Sequence, residues 1–172
     1  RSGHQLRRGS ARSSASCARR SRRVRVWYQS GIQHRRKAIN ISNSATGISV
    51  HQDAGFVATA DISGNASSIH GNAVGIDLNG GTTTVSNNHI YDNTVGIRVE
   101  NGATATVQNN SFEGGSSASE NGTDLELDSS GATLSGALSG NTFAGNSYYI
   151  NNGTASNIDA TANTFDDAGA VQ

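Results

Sequence analysis

Apolar residues are scattered singly along most of this chain and alternate with polar residues in short runs. From residue 38 onward such runs include GISV (47–50), GIDL (75–78) and GIRV (96–99), and each is followed within a few residues by Gly or Asn. Short alternating runs bounded by turn residues predict short β-strands that bury one face. The repeated recurrence of one kind of run predicts a solenoid, in which each repeat forms one coil stacked on the next.

Asparagine marks the period of these repeats. Five similar tetrads (ISGN, VSNN, VQNN, LSGN, ATAN) each end on an asparagine, at intervals of 23, 22, 31 and 22 residues: Asn65, Asn88, Asn110, Asn141 and Asn163. A second set stands four residues before an apolar residue that begins or lies in a strand: Asn72, Asn93, Asn121 and Asn146. Asparagine tolerates left-handed backbone geometry, and stacked amides can bond to one another. We therefore expect about five coils with inward columns of Asn and apolar side chains.

Each coil has room for a third strand, and one coil is longer than the others. Runs that precede the first asparagine predict this strand at TTTV (82–85), ATATV (103–107) and NIDA (157–160). The interval of 31 residues places an insertion mostly in the polar stretch 113–121. Insertions in solenoids leave the coil at bends and often lie on the functional side.

The repeat unit is clearest in VSNNHIYDNTVGIRV (85–99). Across roughly residues 40–170, these units resemble the right-handed parallel β-helix repeat family, the architecture of pectate lyases, polygalacturonases and NosD-like proteins. The resemblance implies an all-β fold: a single-stranded right-handed parallel β-helix of about five coils. This scaffold supports many activities, so function has to be argued from particular side chains.

Charge divides the chain into two parts. Residues 1–37 hold twelve of the thirteen Lys and Arg and no acid, whereas residues 38–172 hold all thirteen acids and one base, Arg98. We expect the basic part to be disordered or non-native, because it cannot bury enough apolar surface to offset its ordering entropy. The alternative is a nucleic-acid arm, which the arginines beside Trp27 and Tyr28 would suit. We favour the first interpretation and expect the β-helix to occupy 38–172.

Strand alternation places one polar residue per coil in an outward column. Ser49, Asp77, Arg98 and Glu126 follow the same position of successive runs, and we take the last three as candidate catalytic residues. Polysaccharide-degrading enzymes of the resembled fold place acids and bases on one outward strand face. The alternative is a surface ladder of opposite charges, which contributes little. Because the acids that flank Arg98 would repel a polyanion, an acidic polysaccharide is disfavoured as substrate.

A second group of candidates lies at the bends. His70 and Tyr91 occupy equivalent positions in successive coils, His89 precedes Ile90, and Glu113 follows in the column of Tyr91. Aromatic faces stack on sugars and His with Glu can ligate zinc, so these four residues predict a small ligand-binding patch. The alternative is that they are ordinary solvated bend residues. We expect no metal site and no cofactor.

Threonines form a third outward pattern. Thr82 and Thr84 should lie beside Thr104 and Thr106, with Thr59/Asp61 on one side and Ser135/Ala137 on the other, so the row should last two coils. Outward T-x-T rows resemble those of ice-binding proteins. Threonine also has a high intrinsic propensity for β-strands, and we prefer that explanation for so short a row.

These observations favour a non-catalytic β-solenoid of a secreted or surface protein, adhesin-like or carbohydrate-binding. The alternative is a fragment of a polysaccharide lyase, glycoside hydrolase or epimerase of the pectate-lyase-like fold. The expected partner is a polysaccharide or cell-surface glycan, with no membrane span and no nucleic acid. Open strand edges invite association, and no capping helix is evident before residue 40, so adjacent coils of a longer chain or a second copy should cover the ends.

Overall fold

A computed structural model describes residues 40–66, 68–115, 119–144, 147–166 and 170–171, and the predicted basic segment lies outside them. Parallel strands of successive coils form three sheets. The first sheet contains β2 (Thr46–His51), β5 (Val74–Asn79), β8 (Val95–Glu100), β10 (Thr123–Leu127), β13 (Tyr148–Asn152) and β15 (Ala170–Val171). The second contains β3 (Thr59–Ser63), β6 (Thr82–Ser86), β9 (Thr104–Gln108), β12 (Ser139–Phe143) and β14 (Ala162–Phe165), with β11 (Thr133–Leu134) paired to β9. The third contains β1 (Ile41–Ser42), β4 (Ile69–His70) and β7 (Ile90–Tyr91).

The register of the first sheet stacks equivalent apolar residues. Ile48, Ile76, Ile97, Leu125 and Ile150 pair in succession from β2 to β13. The last four are at most 1% exposed, so they form one buried column. Burying side chains of this size removes apolar surface from water and stabilises each coil against the next. The predicted inward columns and the prediction of about five coils are confirmed.

Aromatic side chains fill the interior of the later coils. Phe112, Phe143 and Phe165 stack with ring centroids 5.1 and 5.2 Å apart and planes within 13° of parallel. Phe112 and Phe143 are fully buried. The column continues that of Ile69 and Ile90, which pair in the third sheet and are also fully buried. The apolar residue after each repeat asparagine is therefore the one that fills the core.

The first set of asparagines forms a continuous ladder along the solenoid axis. Side-chain amides donate to the side-chain oxygen of the next coil from Asn65 to Asn88 (2.7 Å), on to Asn110 (3.1 Å), Asn141 (3.1 Å) and Asn163 (2.9 Å). Each Oδ1 also accepts the backbone N–H of the preceding asparagine. Buried amides are tolerated only when they are bonded in this way, which confirms the predicted inward Asn column.

Four of the five tetrads that end on these asparagines have a left-handed residue at their third position; the fifth has Ala162, the first residue of β14. The φ angle is +71° at Gly64, +55° at Asn87, +55° at Asn109 and +67° at Gly140. Glycine and asparagine adopt this region at the least cost, which explains why the tetrad contains GN or NN. The resulting bend turns the next asparagine into the coil.

The second set of asparagines forms another ladder, whose described members run from Asn72 to Asn121 and on to a carboxylate. Asn72 donates to Asn93 (3.0 Å), and Asn93 donates to Asn121 (2.9 Å). Asn121 in turn donates to the buried Asp124 Oδ1 (2.8 Å), whose other oxygen accepts the Ala144 N–H (2.8 Å). The predicted member Asn146 lies outside the described residues. The inward position of Asp124 was not predicted, because an acidic residue in a strand is normally expected to face the solvent.

Two strand predictions differ from the structure. The run 157–160 has no strand, and β14 begins two residues later at Ala162. In the fourth coil Thr133 pairs with Thr104, so the predicted neighbours Ser135/Ala137 are wrong by two residues. The cause is a second insertion around Gly136, whose φ is +79° and which separates β11 from β12. The neighbours of Thr104 and Thr106 were placed by counting back from Asn141 in the sequence, and that count did not include these extra residues.

Candidate functional site

The predicted outward column is present on the first sheet. Ser49, Asp77, Arg98 and Glu126 pair in that order, and Glu126 pairs with Asn151 in the next coil. Arg98 Nε donates to Glu126 Oε2 at 3.1 Å, with the two side chains 33% and 26% exposed. A partly exposed pair of this kind contributes about 0–1 kcal/mol. The pair also leaves the guanidinium engaged with a carboxylate of its own chain.

Asp77 differs from its neighbours in the column. Its Oδ1 is buried and accepts no hydrogen bond from any described residue. Burial raises the pKa of Asp77, and the charge of Glu100 raises it further, whereas Arg98 and His51 lower it. A carboxyl that is kept protonated more easily than usual can act as a general acid, so Asp77 is the one residue of this column with a chemical peculiarity.

Asp77→Asn should stabilise the protein at neutral pH, by less than about 1 kcal/mol because the site is half exposed. The folded-state pKa of Asp77 is raised above its ordinary 3.8, so the protonated form favours folding. That stability is present below pH 3.8 and is lost as pH rises through the raised pKa. The amide cannot ionise, so the gain should be absent below pH 3.8, grow between pH 3.8 and the raised pKa, and be complete above it. Thermal unfolding at neutral and acid pH measures it; Asp61→Asn, an exposed change, is the control.

The bend residues form an aromatic cluster. His70 and Tyr91 pair in the third sheet, and their rings stack with centroids 5.1 Å apart and planes within 7°. The His89 ring lies 4.5 Å from the Tyr91 ring between centroids, and the two planes are tilted by 35°. All three side chains are half-buried. The structure therefore brings together three of the four predicted residues, and we call His70, Tyr91 and His89 the ring cluster.

Glu113 joins the ring cluster through its backbone. His89 Nε2 lies 2.6 Å from the carbonyl oxygen of Glu113, so the imidazole donates there, while the Glu113 side chain is exposed. Among the described residues, no group of three or more His, Cys, Asp and Glu side chains converges on a point that could hold a metal ion. The zinc alternative for these four residues has no support in this geometry.

An open groove of about 560 Å³ lies beside the ring cluster, where the insertion leaves the coil. Six of its nine lining residues have polar side chains: the lining is Ala66, Asn87, Asn88, His89, Asn109, Ser111, Glu113, Gly114 and Gly115. Asn87 and Asn109 are the left-handed residues of two successive tetrads, and both are exposed. Because their amides lie in neighbouring coils, they present donors and acceptors at a regular spacing of about 4.8 Å. The sequence indicated the insertion and His89, but not these two asparagines, which it assigned only to bends.

The groove and the ring cluster together offer amides, a hydroxyl, an imidazole and an aromatic edge, with one carboxylate at the rim. Such a surface suits a polar, uncharged ligand that is held by hydrogen bonds and ring contacts. Arg98 is the only Lys or Arg after residue 37, and it is bonded to Glu126 on the first sheet. An anionic ligand would therefore find no free cation among the described residues.

Comparison with known proteins agrees with this architecture. The family described as right handed beta helix region matches residues 24–171. The chain therefore belongs to the right-handed β-helix family, and its fold is a right-handed β-solenoid. The match starts within the basic segment, and the predicted boundary at 37–38 stays a prediction. No curated protein and no solved structure matches the chain.

One further feature concerns membranes. No helix in the described part of the chain is long and apolar enough to cross a bilayer.

Proposed function

We propose that this β-helix binds a neutral carbohydrate in the groove beside the ring cluster, as an adhesin-like or carbohydrate-binding segment. The observation that carries the proposal is the position of exposed amides of two successive coils next to three aromatic rings. Sugars carry vicinal hydroxyls that can bond to amides and an apolar face that can contact aromatic rings. The groove amides and the ring cluster could therefore contact the same sugar. The proposed ligand is a polysaccharide or cell-surface glycan, and the proposed location is secreted or on the cell surface.

The binding proposal is favoured over an enzyme by the state of the outward column. Arg98, the one basic residue of the outward column, is bonded to Glu126 and stands between two acids. A lyase acting on uronates would need a free base and a means to neutralise the substrate carboxylate. Asp77 alone keeps the hydrolase alternative open, because its raised pKa suits a general acid.

Calorimetric titration of the whole chain against a panel of neutral oligosaccharides tests this proposal. We expect at least one to bind, and Tyr91→Ala to weaken that binding about tenfold, which corresponds to about 1.4 kcal/mol. Asn87→Gly removes a groove amide while preserving the left-handed backbone, and should also weaken binding. Phe56→Ala, at a side chain 73% exposed in a different loop, should leave binding unchanged.

Three outcomes would contradict the proposal. The wild-type chain could bind no neutral sugar, or Phe56→Ala could weaken binding as much as Tyr91→Ala. The third outcome is release of reducing ends from a polysaccharide, abolished by Asp77→Asn, which would replace binding by hydrolysis at the first sheet.

A further inference from the structure

The second sheet displays hydroxyl side chains in a grid. Its register places one column of four threonines on successive coils: Thr59, Thr82, Thr104 and Thr133. Two residues further along the strands, Asp61, Thr84 and Thr106 form a neighbouring column. The strand β11 continues this pattern, because Thr106 Oγ1 donates to the Ser135 carbonyl at 3.1 Å. The first threonine column is therefore four coils long. The paired T-x-T row, Thr82/Thr84 beside Thr104/Thr106, spans the two coils expected from the sequence, and Thr133 with Ser135 extends it by a third coil of hydroxyl side chains.

No charged side chain interrupts three consecutive coils of this grid. The outward positions of β6, β9 and the β11 segment are Thr82, Thr84, Ser86, Thr104, Thr106, Gln108, Thr133 and Ser135, and all are exposed or half-buried. The one acid, Asp61, lies on the first of the four coils. The body of the chain has thirteen acids, so a neutral face of this extent contrasts with the rest of the surface. It also shares no residue with the proposed sugar groove.

The backbone positions that carry the grid are regularly spaced. Equivalent backbone positions on adjacent coils are about 4.8 Å apart, and alternate residues along one strand are about 6.7 Å apart, because these are the dimensions of a β-sheet. Backbone ladders on both sides hold β6 and β9 in place. Thr104 and Thr133 also bond to each other through Oγ1 at 2.9 Å, which fixes their rotamers. A ligand would therefore meet hydroxyls and methyls that are already ordered.

Such a face fits a partner that is itself a lattice of hydrogen-bonding oxygens. In tetrahedral water with O···O of ~2.8 Å, next-nearest oxygens are ~4.6 Å apart, close to the coil spacing. Bound waters on one hydroxyl column can therefore join such a lattice with little displacement. A flat crystalline sugar surface would instead call for aromatic side chains, and this grid has none. We propose that the threonine grid binds ice.

Ice-crystal morphology and freezing-point hysteresis of the whole chain test the proposal. The wild-type protein should shape growing crystals and depress the freezing point below the melting point. The double variant Thr82→Lys/Thr104→Lys introduces two charged, flexible side chains at the centre of the grid and should abolish both effects. Thr94→Lys makes the same change at an exposed bend threonine outside the grid, and should retain them.

Circular dichroism and the melting temperature of each variant confirm that the fold is intact. If the double lysine variant unfolds, Thr104→Val serves instead, since it keeps the shape and removes one hydroxyl; a reduced hysteresis is then expected. The proposal is overturned if the wild-type chain leaves ice growth unaffected, or if Thr94→Lys removes the effect as completely as the double variant. Sugar binding in the groove should be the same in all of these proteins, so failure here leaves the carbohydrate proposal standing.

Discussion

Replacing Phe143 with alanine should lower the free energy of unfolding by about 3–5 kcal/mol. The ring is fully buried and stacks on both faces, against Phe112 at 5.1 Å and Phe165 at 5.2 Å. Its removal takes away the transfer free energy of a large apolar side chain and leaves a cavity between two rings. The solenoid backbone cannot collapse into that cavity, because its coils are held apart at the β-sheet spacing. Urea unfolding followed by far-UV circular dichroism measures the loss.

Phe56→Ala is the matched control for this change. It deletes the same atoms from a side chain that is 73% exposed, so its effect should stay within about 0.5 kcal/mol. Since each coil contacts only its neighbours, the Phe143 variant should also lose protection from hydrogen exchange first in β12 and β14. Equal losses of stability in the two variants would show that the aromatic stack does not hold these coils together.

The sequence predicted the fold because the same constraint is repeated in every coil. The bend before four of the five ladder asparagines needs a left-handed residue, and this requirement favours Gly or Asn at Gly64, Asn87, Asn109 and Gly140. Once the bends are aligned, the alternation of apolar and polar residues sets the register of the first sheet. This is how Ser49, Asp77, Arg98 and Glu126 were placed in one column. Because every coil has the same geometry, the same residue types recur at a regular interval, and this interval can be read from the sequence.

Interruptions of the period are where prediction failed. The insertion around Gly136 shifted Thr133 and Ser135 by two positions, and this shift concealed the length of the threonine grid. The groove was missed for a related reason: it is formed by bend residues of three successive coils and the insertion, which are adjacent only after the coils stack. The raised pKa of Asp77 depends on how deeply its carboxyl is buried. The alternation of apolar and polar residues in a strand indicates only whether a side chain points inward or outward.

Asn110→Ala should cost about 2–4 kcal/mol, although asparagine is a polar residue. Asn110 is 1% exposed and lies in the middle of the first ladder. Its amide donates to the Val85 carbonyl at 3.0 Å and to Asn141 Oδ1 at 3.1 Å. Its Oδ1 accepts the backbone N–H and the side-chain amide of Asn88, both at 3.1 Å. Alanine removes all four bonds and strands a buried backbone N–H, and such a group is expensive in a low-dielectric interior.

A second substitution separates hydrogen bonding from packing. Asn110→Asp keeps the volume but places an acceptor where the amide donated to Val85 and Asn141, so it should destabilise the protein at neutral pH at least as much as alanine does. The control is Asn109→Gly at the exposed neighbouring position, where φ is +55° and glycine is at no disadvantage; its effect should stay within about 0.5 kcal/mol. Thermal and urea unfolding of the three variants provides the comparison. A nearly neutral Asn110→Asp would mean that the ladder stabilises the coils by filling space, and that the direction of its hydrogen bonds is immaterial.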